Sequence, residues 1–244
     1  MNLYTYKIRS ITVISILILT SLYSYAQTPI GAWERYYDDV NGNSIRSVVI
    51  FSKKFQSIAM YNAKSGEFIY SNGGTWELNN NMMTEKVEFD TANSERVGDI
   101  LTFEVKITND SLSLPDANWH FSKIDDGKPG ELNGAWLMSG RYRNGVKQTR
   151  STDRPRKTMK MLAGGRFQWI AYDISKKGFY GTGGGTYTAE RGNYIENIEF
   201  FSRDSNTVGK SLGFDFEIKD GDWHHRGFSS KGDPKYEIWT QRKQ

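Results

Sequence analysis

The chain of 244 residues contains no cysteine. That absence excludes disulfide staples, thiol catalysis, Fe–S clusters and Cys-based zinc sites. Histidine is almost as scarce, with only His120, His224 and His225. Three are too few for a His-rich metal cage, so neither a metal nor an organic cofactor is expected. Five prolines against 24 glycines exclude Pro-rich low complexity and collagen-like repeats. Gly-x-Ser-x-Gly does not occur. The glycine run Gly181–Gly185 lacks the Lys-Ser/Thr ending of a phosphate loop and reads as a turn. Hydrophobic residues reach only 37%, but aromatics, at 14%, supply the bulk for a packed core.

Long apolar stretches are also missing, with one exception at the start. Lys7 and Arg9 precede the run Ile11 to Leu22, and Ser24-Tyr25-Ala26 follows as a small-x-small cleavage site. The run is short for a bilayer span of roughly 20 residues. Residues 1–26 therefore read as an export signal cleaved near Ala26, leaving a periplasmic or secreted protein with no membrane anchor. A lipoprotein signal would need a cysteine.

Charge of one sign is lacking overall but not locally. Residues 27–130 carry 10 Lys/Arg and 15 Asp/Glu, net −5. Residues 131–244 carry 20 and 13, net +7. The small total argues against a nucleic-acid partner. The split suggests that the C-terminal half meets an anion.

The chain repeats itself. Gly31-Ala32-Trp33 recurs as Gly134-Ala135-Trp136, and Phe55-Gln56-Ser57-Ile58-Ala59 as Phe167-Gln168-Trp169-Ile170-Ala171. Glu88-Phe89 recurs as Glu199-Phe200, and Leu101 to Val105 as Leu212 to Phe216, at an offset of 111. The unit of roughly 100 residues is too long for a solenoid repeat, so two units are expected, 27–130 and 131–244. Each is rich in short β-branched and aromatic runs. Leu101 to Ile107 and Phe214 to Ile218 alternate apolar with polar, the pattern of a strand with one buried face. Turn signals, Asn41-Gly42, Lys64-Ser65-Gly66 and Asn72-Gly73-Gly74, separate them. No long helical stripe occurs. An all-β fold of two antiparallel barrel-like units is expected.

Gly-x-Trp on the first strand of such a meander resembles the lipocalin-like, or calycin, family. There the Trp closes one end of the barrel under a basic residue from the last strand. Trp33 and Trp136 match the Trp position. Arg242 fits the basic position in the second unit, and Lys123 fits it less well in the first. The duplicated arrangement resembles exported lipocalin-like proteins of bacterial polysaccharide degradation, some of which dehydrate uronate oligosaccharides. The resemblance implies the fold; function follows from it only by analogy.

The candidate chemistry falls in the second unit. Trp136 to Phe167 spans 31 residues where Trp33 to Phe55 spans 22. The insertion lies near Arg141–Lys160, a segment with eight Lys/Arg and one acid, Asp153. It reads either as a solvated loop or as an anion clamp in which Arg141, Arg143 and Tyr142 hold a carboxylate; the planar guanidinium fork suits that task. In Trp223-His224-His225-Arg226, an extended backbone puts His224 and Arg226 on one face and Trp223 and His225 on the other. His224 or His225 can act as a base near neutral pH, with Arg226 as clamp and Trp223 as a stacking surface. The same residues also suit a plain surface hairpin. Tyr187 is the reserve acid or base among aromatics (Tyr142, Trp169, Tyr172, Tyr180) that can simply fill the barrel. The expected function is β-elimination on an acidic, uronate-containing oligosaccharide, chiefly loss of water. The alternative is a non-catalytic carrier of an anionic sugar or lipid; a structural envelope protein is a third reading. The sequence leaves the oligomeric state open.

Overall fold

Alternating strands joined by tight turns build almost the whole molecule. The computed structural model describes residues 28–128 and 130–243; the export signal expected over 1–26 lies outside them. Among the described residues no helix is long and apolar enough to cross a membrane.

The first unit runs β1 (Gly31–Asp38), β2 (Ser44–Phe51), β3 (Phe55–Asn62), β4 (Phe68–Asn79), β5 (Met82–Asp90), β6 (Ile100–Glu104), β7 (Lys106–Ile107), β8 (Ser111–Leu114) and β9 (Trp119–Asp125). Neighbours in the chain pair antiparallel, and β9 returns to β1. β6 and β7 are one course interrupted at Val105: the first part pairs with β5 and the second with β8, which completes the ring.

The second unit repeats the plan with β10 (Gly134–Arg143), β11 (Val146–Thr149), β12 (Arg156–Ala163), β13 (Arg166–Asp173), β14 (Gly178–Glu190), β15 (Asn193–Phe201), β16 (Ser211–Lys219), β17 (Asp222–Phe228) and β18 (Pro234–Gln241). Here β18 pairs back on β10, so the barrel closes on itself. The protein is all-β, two tandem antiparallel lipocalin-like barrels related by internal duplication. The insertion is a hairpin: β10 runs on past the barrel, turns at Asn144-Gly145 and returns as β11. Both turn residues have positive φ, 51° and 75°, the geometry that Asn-Gly supplies in a two-residue hairpin.

The Gly-x-Trp motif has a physical reason. Gly31 and Gly134 sit at φ +127° and +129°, and a Cβ on Gly31 would lie 2.3 Å from the Asp125 carbonyl oxygen. Only glycine lets the strand enter the barrel there. The indoles then tuck under the entering chain: Trp33 Nε1 donates to the Pro29 carbonyl at 2.7 Å and Trp136 Nε1 to Leu132 at 2.8 Å. Lys123 lies over Trp33, its Nζ 4.8 Å from a ring centroid. Arg242 does not lie over Trp136; it points to the seam between the barrels, because Gln241 takes the register position opposite Trp136.

Two other expectations need correction. Gly73-Gly74 and Gly181–Gly185 are not turns but strand interior, in β4 and β14. The glycines are needed because neighbouring backbone and rings come close: a Cβ on Gly73 or Gly184 would lie 2.5 Å from the Gln56 or Phe167 carbonyl oxygen and 2.8 Å from the Phe89 or Phe200 ring.

Strands β2, β3, β12 and β13 are buried on both faces. One face fills a barrel. The other forms a shared core of Val48, Ile50, Phe55, Tyr61 and Phe89 with Leu137, Met159, Met161, Ile170, Tyr172 and Phe200. This seam is pseudo-symmetric. Tyr61 stacks on Phe200 at 4.8 Å and Tyr172 packs on Phe89 at 5.0 Å. Phe68 stacks on its own counterpart, Phe179. Tyr61 Oη donates to Glu199 Oε2 at 2.8 Å, and Tyr172 Oη to Glu88 Oε2 at 2.6 Å. Arginines complete both carboxylates: Arg242 on Glu88, Arg46 and Arg166 on Glu199.

Candidate functional site

The interiors of the two barrels differ in kind. Barrel one has an apolar core of Trp33, Ile45, Val49, Phe51, Ile58, Trp76 and Phe121, with charged side chains along one cup in its wall. Barrel two holds aromatics too, but charged side chains are threaded among them. On β12, Arg156, Thr158 and Lys160 alternate inward while Met159 and Met161 face the seam. Lys160 Nζ is 2.6 Å from Glu196 Oε1 and both side chains are buried. Tyr194 Oη donates to the same oxygen at 3.0 Å. The ammonium also lies 4.8–5.2 Å from the ring centroids of Trp223, Tyr194 and Trp239. Burial draws the Lys160 ammonium below the usual lysine range. Burial alone would raise Glu196, but Lys160 and His225 outweigh it and hold the carboxyl below its ordinary value.

A second pair lies beside the first. His225 Nδ1 is 3.4 Å from Glu237 Oε2 and the imidazole is fully buried. Burial first, then Lys160, lowers the His225 pKa to about 4, so the ring is neutral at pH 7. Burial works against the Glu237 charge, but the His225 ring and the charges of Lys235 and Lys160 bring it down to about 2.

Lys160, Glu196 and Glu237 border a cavity of 480 Å³ whose lining also includes Arg156, Arg203, Lys235, Trp169, Phe214 and Trp239; His225 lies outside that lining. Arg156 lies flat on Tyr180, its Cζ 3.4 Å from the ring centroid, and Arg203 Nε donates to the Tyr180 carbonyl at 2.8 Å. Several buried polar atoms of this barrel have no hydrogen-bond partner: Arg156 Nη1, Trp223 Nε1, both His225 nitrogens, Glu237 Oε2 and Trp239 Nε1. Unpaired buried groups of this sort cost about 1–3 kcal/mol each, and a concentration of them inside one barrel marks a place built for polar contacts.

Residues 131–244 match the family model described as a domain of unknown function, DUF4488. That span contains the whole second barrel and its cavity. No curated protein matches the chain.

The residues singled out from sequence fall in three places. Strand β17 alternates as expected, with Trp223 and His225 inside the barrel and Arg226 outside. His224 lies on the outer wall, where its Nδ1 meets Tyr236 Oη at 2.9 Å. Tyr142 stacks on Tyr236 at 4.4 Å and Arg226 lies 5.5 Å from that ring, so these residues form an exterior patch. Arg141 and Arg143 are exposed on the inserted hairpin, Arg141 donating to Gln148 at 2.8 Å. Tyr187 is in the core and donates to Asn133 Oδ1 at 3.0 Å; burial raises its pKa far above the ordinary phenol. None of His224, Arg226, Arg141, Arg143 or Tyr187 lines the cavity. Lys160, Glu196, Glu237, Arg156 and Arg203 do, and sequence reasoning passed over them individually. One signal was available: Lys160 stands between two methionines, followed by Leu162 and Ala163, in a stretch buried throughout.

Proposed function

We propose that the second barrel binds an acidic saccharide, and that the reaction carried out there is β-elimination on its uronate. The observation that carries the binding is Arg156, whose buried Nη1 lacks an acceptor at a cavity rimmed by Arg203 and Lys235. A guanidinium with a free N–H suits a carboxylate. Trp169 and Trp239 in the wall offer flat apolar faces for a sugar ring.

Elimination needs a clamp for the carboxylate, a base for the C5 proton and an acid for the leaving oxygen. Arg156 and Arg203 serve as the clamp. The Lys160–Glu196 pair faces the cavity as the proton-handling group: Glu196 takes the C5 proton as the C4–O bond breaks, and the Lys160 ammonium gives one to the departing oxygen, which leaves as water or as a sugar hydroxyl. The pair ends with its charges neutralised and returns to its ionised form by transfer between Nζ and Oε1, 2.6 Å apart. His225 lies behind Glu237 and tunes that carboxylate rather than reaching the sugar.

The test incubates the protein with uronate oligosaccharides and follows absorbance near 235 nm, where an unsaturated uronate absorbs, alongside calorimetric binding. A rise that Lys160→Met abolishes supports the reaction. Binding without any rise supports the carrier reading. No binding of uronates, with neutral sugars binding equally or not at all, refutes both.

A further inference from the structure

Aligning the barrels by strand register shows what each position became after duplication. Trp136 pairs with Lys160 as Trp33 pairs with Val49, and Tyr187 pairs with Glu196 as Trp76 pairs with Glu85. Trp223 and Trp239 correspond to Leu112 and Phe121, and His225 and Glu237 to Leu114 and Trp119. Barrel one thus has the glutamate, but a valine where barrel two has its lysine. It also has smaller residues, Leu112 and Phe121, where barrel two has two tryptophans.

Barrel one holds a cup of 310 Å³ bordered by Val49, Leu112, Phe121, Trp119 and Glu85. Among the described residues no protein cation or hydrogen-bond donor contacts the Glu85 carboxylate. Arg96, the nearest guanidinium, is committed to Asp90 at 2.9 Å. The other charged groups on the cup wall, Glu104 and Asp116, are acidic, and Tyr70 is a neutral phenol bound to Asp90. Burial pushes the Glu85 carboxyl up to about 7, with Arg96 opposing. Glu85 is half-buried, and a carboxylate held among mostly apolar walls without a counter-ion is incomplete.

We infer that the cup of barrel one is a binding site for an apolar primary amine, whose ammonium meets Glu85 where the Lys160 ammonium meets Glu196 in barrel two. The lysine side chain is itself the pattern for the ligand: a short alkyl stem lying among apolar and aromatic residues with an ammonium at its end. The net charge of −5 on residues 27–130 favours a cation, whereas the C-terminal half favours an anion. This inference is independent of any reaction in the second barrel.

The experiment titrates the purified protein with n-hexylamine, n-hexanol and hexanoate by calorimetry at pH 8. Hexylamine should bind about tenfold or more tightly than hexanol, since a charge-assisted hydrogen bond is worth about 1.5–3 kcal/mol, and hexanoate should not bind. Glu85→Gln, nearly isosteric, should bring the amine down to the level of the alcohol. Val49→Lys should place a tethered ammonium on Glu85 and abolish amine binding. Amine affinity should fall as the pH drops below about 7, where Glu85 takes up a proton. Hexanol binding as tightly as hexylamine to the unaltered protein, or an amine preference that survives Glu85→Gln, would overturn the inference. The comparison of probes on the unaltered protein decides even if a variant fails to fold.

Discussion

Replacing Glu199 by alanine probes the seam between the barrels. Its carboxylate accepts from Arg166 of its own barrel and from Arg46 and Tyr61 of the other. The substitution leaves Arg166, which is buried, without its counter-charge, and takes one of two carboxylates from Arg46, which keeps Glu34 at 2.7 Å. Removing one partner of a buried ion pair costs about 3–5 kcal/mol; the Glu199 side chain keeps 26% of its exposure, so the low end, about 3 kcal/mol, applies. For a domain of 150–250 residues each kcal/mol moves the melting temperature by about 2–4 °C, giving a drop of about 6–12 °C. Differential scanning calorimetry measures it, with exposed Glu217→Ala as a control expected within about 0.5 kcal/mol. The pH dependence gives a second reading. Burial favours the protonated acid, but the arginines and Tyr61 outweigh it and hold the folded-state pKa of Glu199 below the ordinary value. Its contribution is therefore present at neutral pH and lost as the pH falls below about 4.5, through the folded pKa. Glu199→Gln should flatten that part of the stability profile. A Glu199→Ala protein that melts within 2 °C of the unaltered one would refute the argument that the seam depends on this carboxylate.

Other substitutions test other parts of the molecule. Lys160→Met should destabilise by about 3 kcal/mol or more by leaving Glu196 buried without its partner, and Lys160→Met with Glu196→Leu should recover most of the loss in urea titrations. His225, with its pKa lowered to about 4 by burial, binds no proton in the folded state until the pH falls that far. Stability should therefore decline between about pH 6.5 and 4 by roughly 3 kcal/mol, and His225→Phe should remove that slope in the same titration. Gly31→Ala puts a methyl against the Asp125 carbonyl at positive φ and should cost more than about 1 kcal/mol, visible as a lowered melting temperature.

The duplication, the strands and the barrel class were legible because they rest on patterns that survive in one dimension: the offset of 111, period-two alternation and the Gly-x-Trp pair. The turn reading of Gly73-Gly74 and Gly181–Gly185 failed because glycine serves both to reverse a chain and to let a ring cross it. The close approach of the paired strands' carbonyls and of the Phe89 and Phe200 rings distinguishes the two. The short 3₁₀ turns at Ser94–Arg96 and Ser205–Thr207, also 111 apart and capped by Asn93 and Asp204, carried no sequence signal beyond those caps. At the site, sequence drew attention to clustered charge and adjacent histidines, which lie close in the chain. Lys160, Glu196 and Glu237 come from three strands, and their convergence needs barrel closure. Arg242 was assigned to the barrel end because a strand-final basic residue fitted there; a one-residue difference in register sends it instead to Glu88.

The reciprocal grip across the seam, where each barrel's tyrosine holds the other's glutamate, is the geometry of a symmetric dimer written into one chain. Two such copies on separate chains would have to stay identical, because any change appears twice. Once joined, they face each other at a local concentration that dilution cannot lower, and either may drift while the seam stays fixed. Tyr61, Tyr172, Glu88 and Glu199 are the conserved half of that bargain within this molecule; Val49 against Lys160 and Leu114 against His225 are the liberty it allowed.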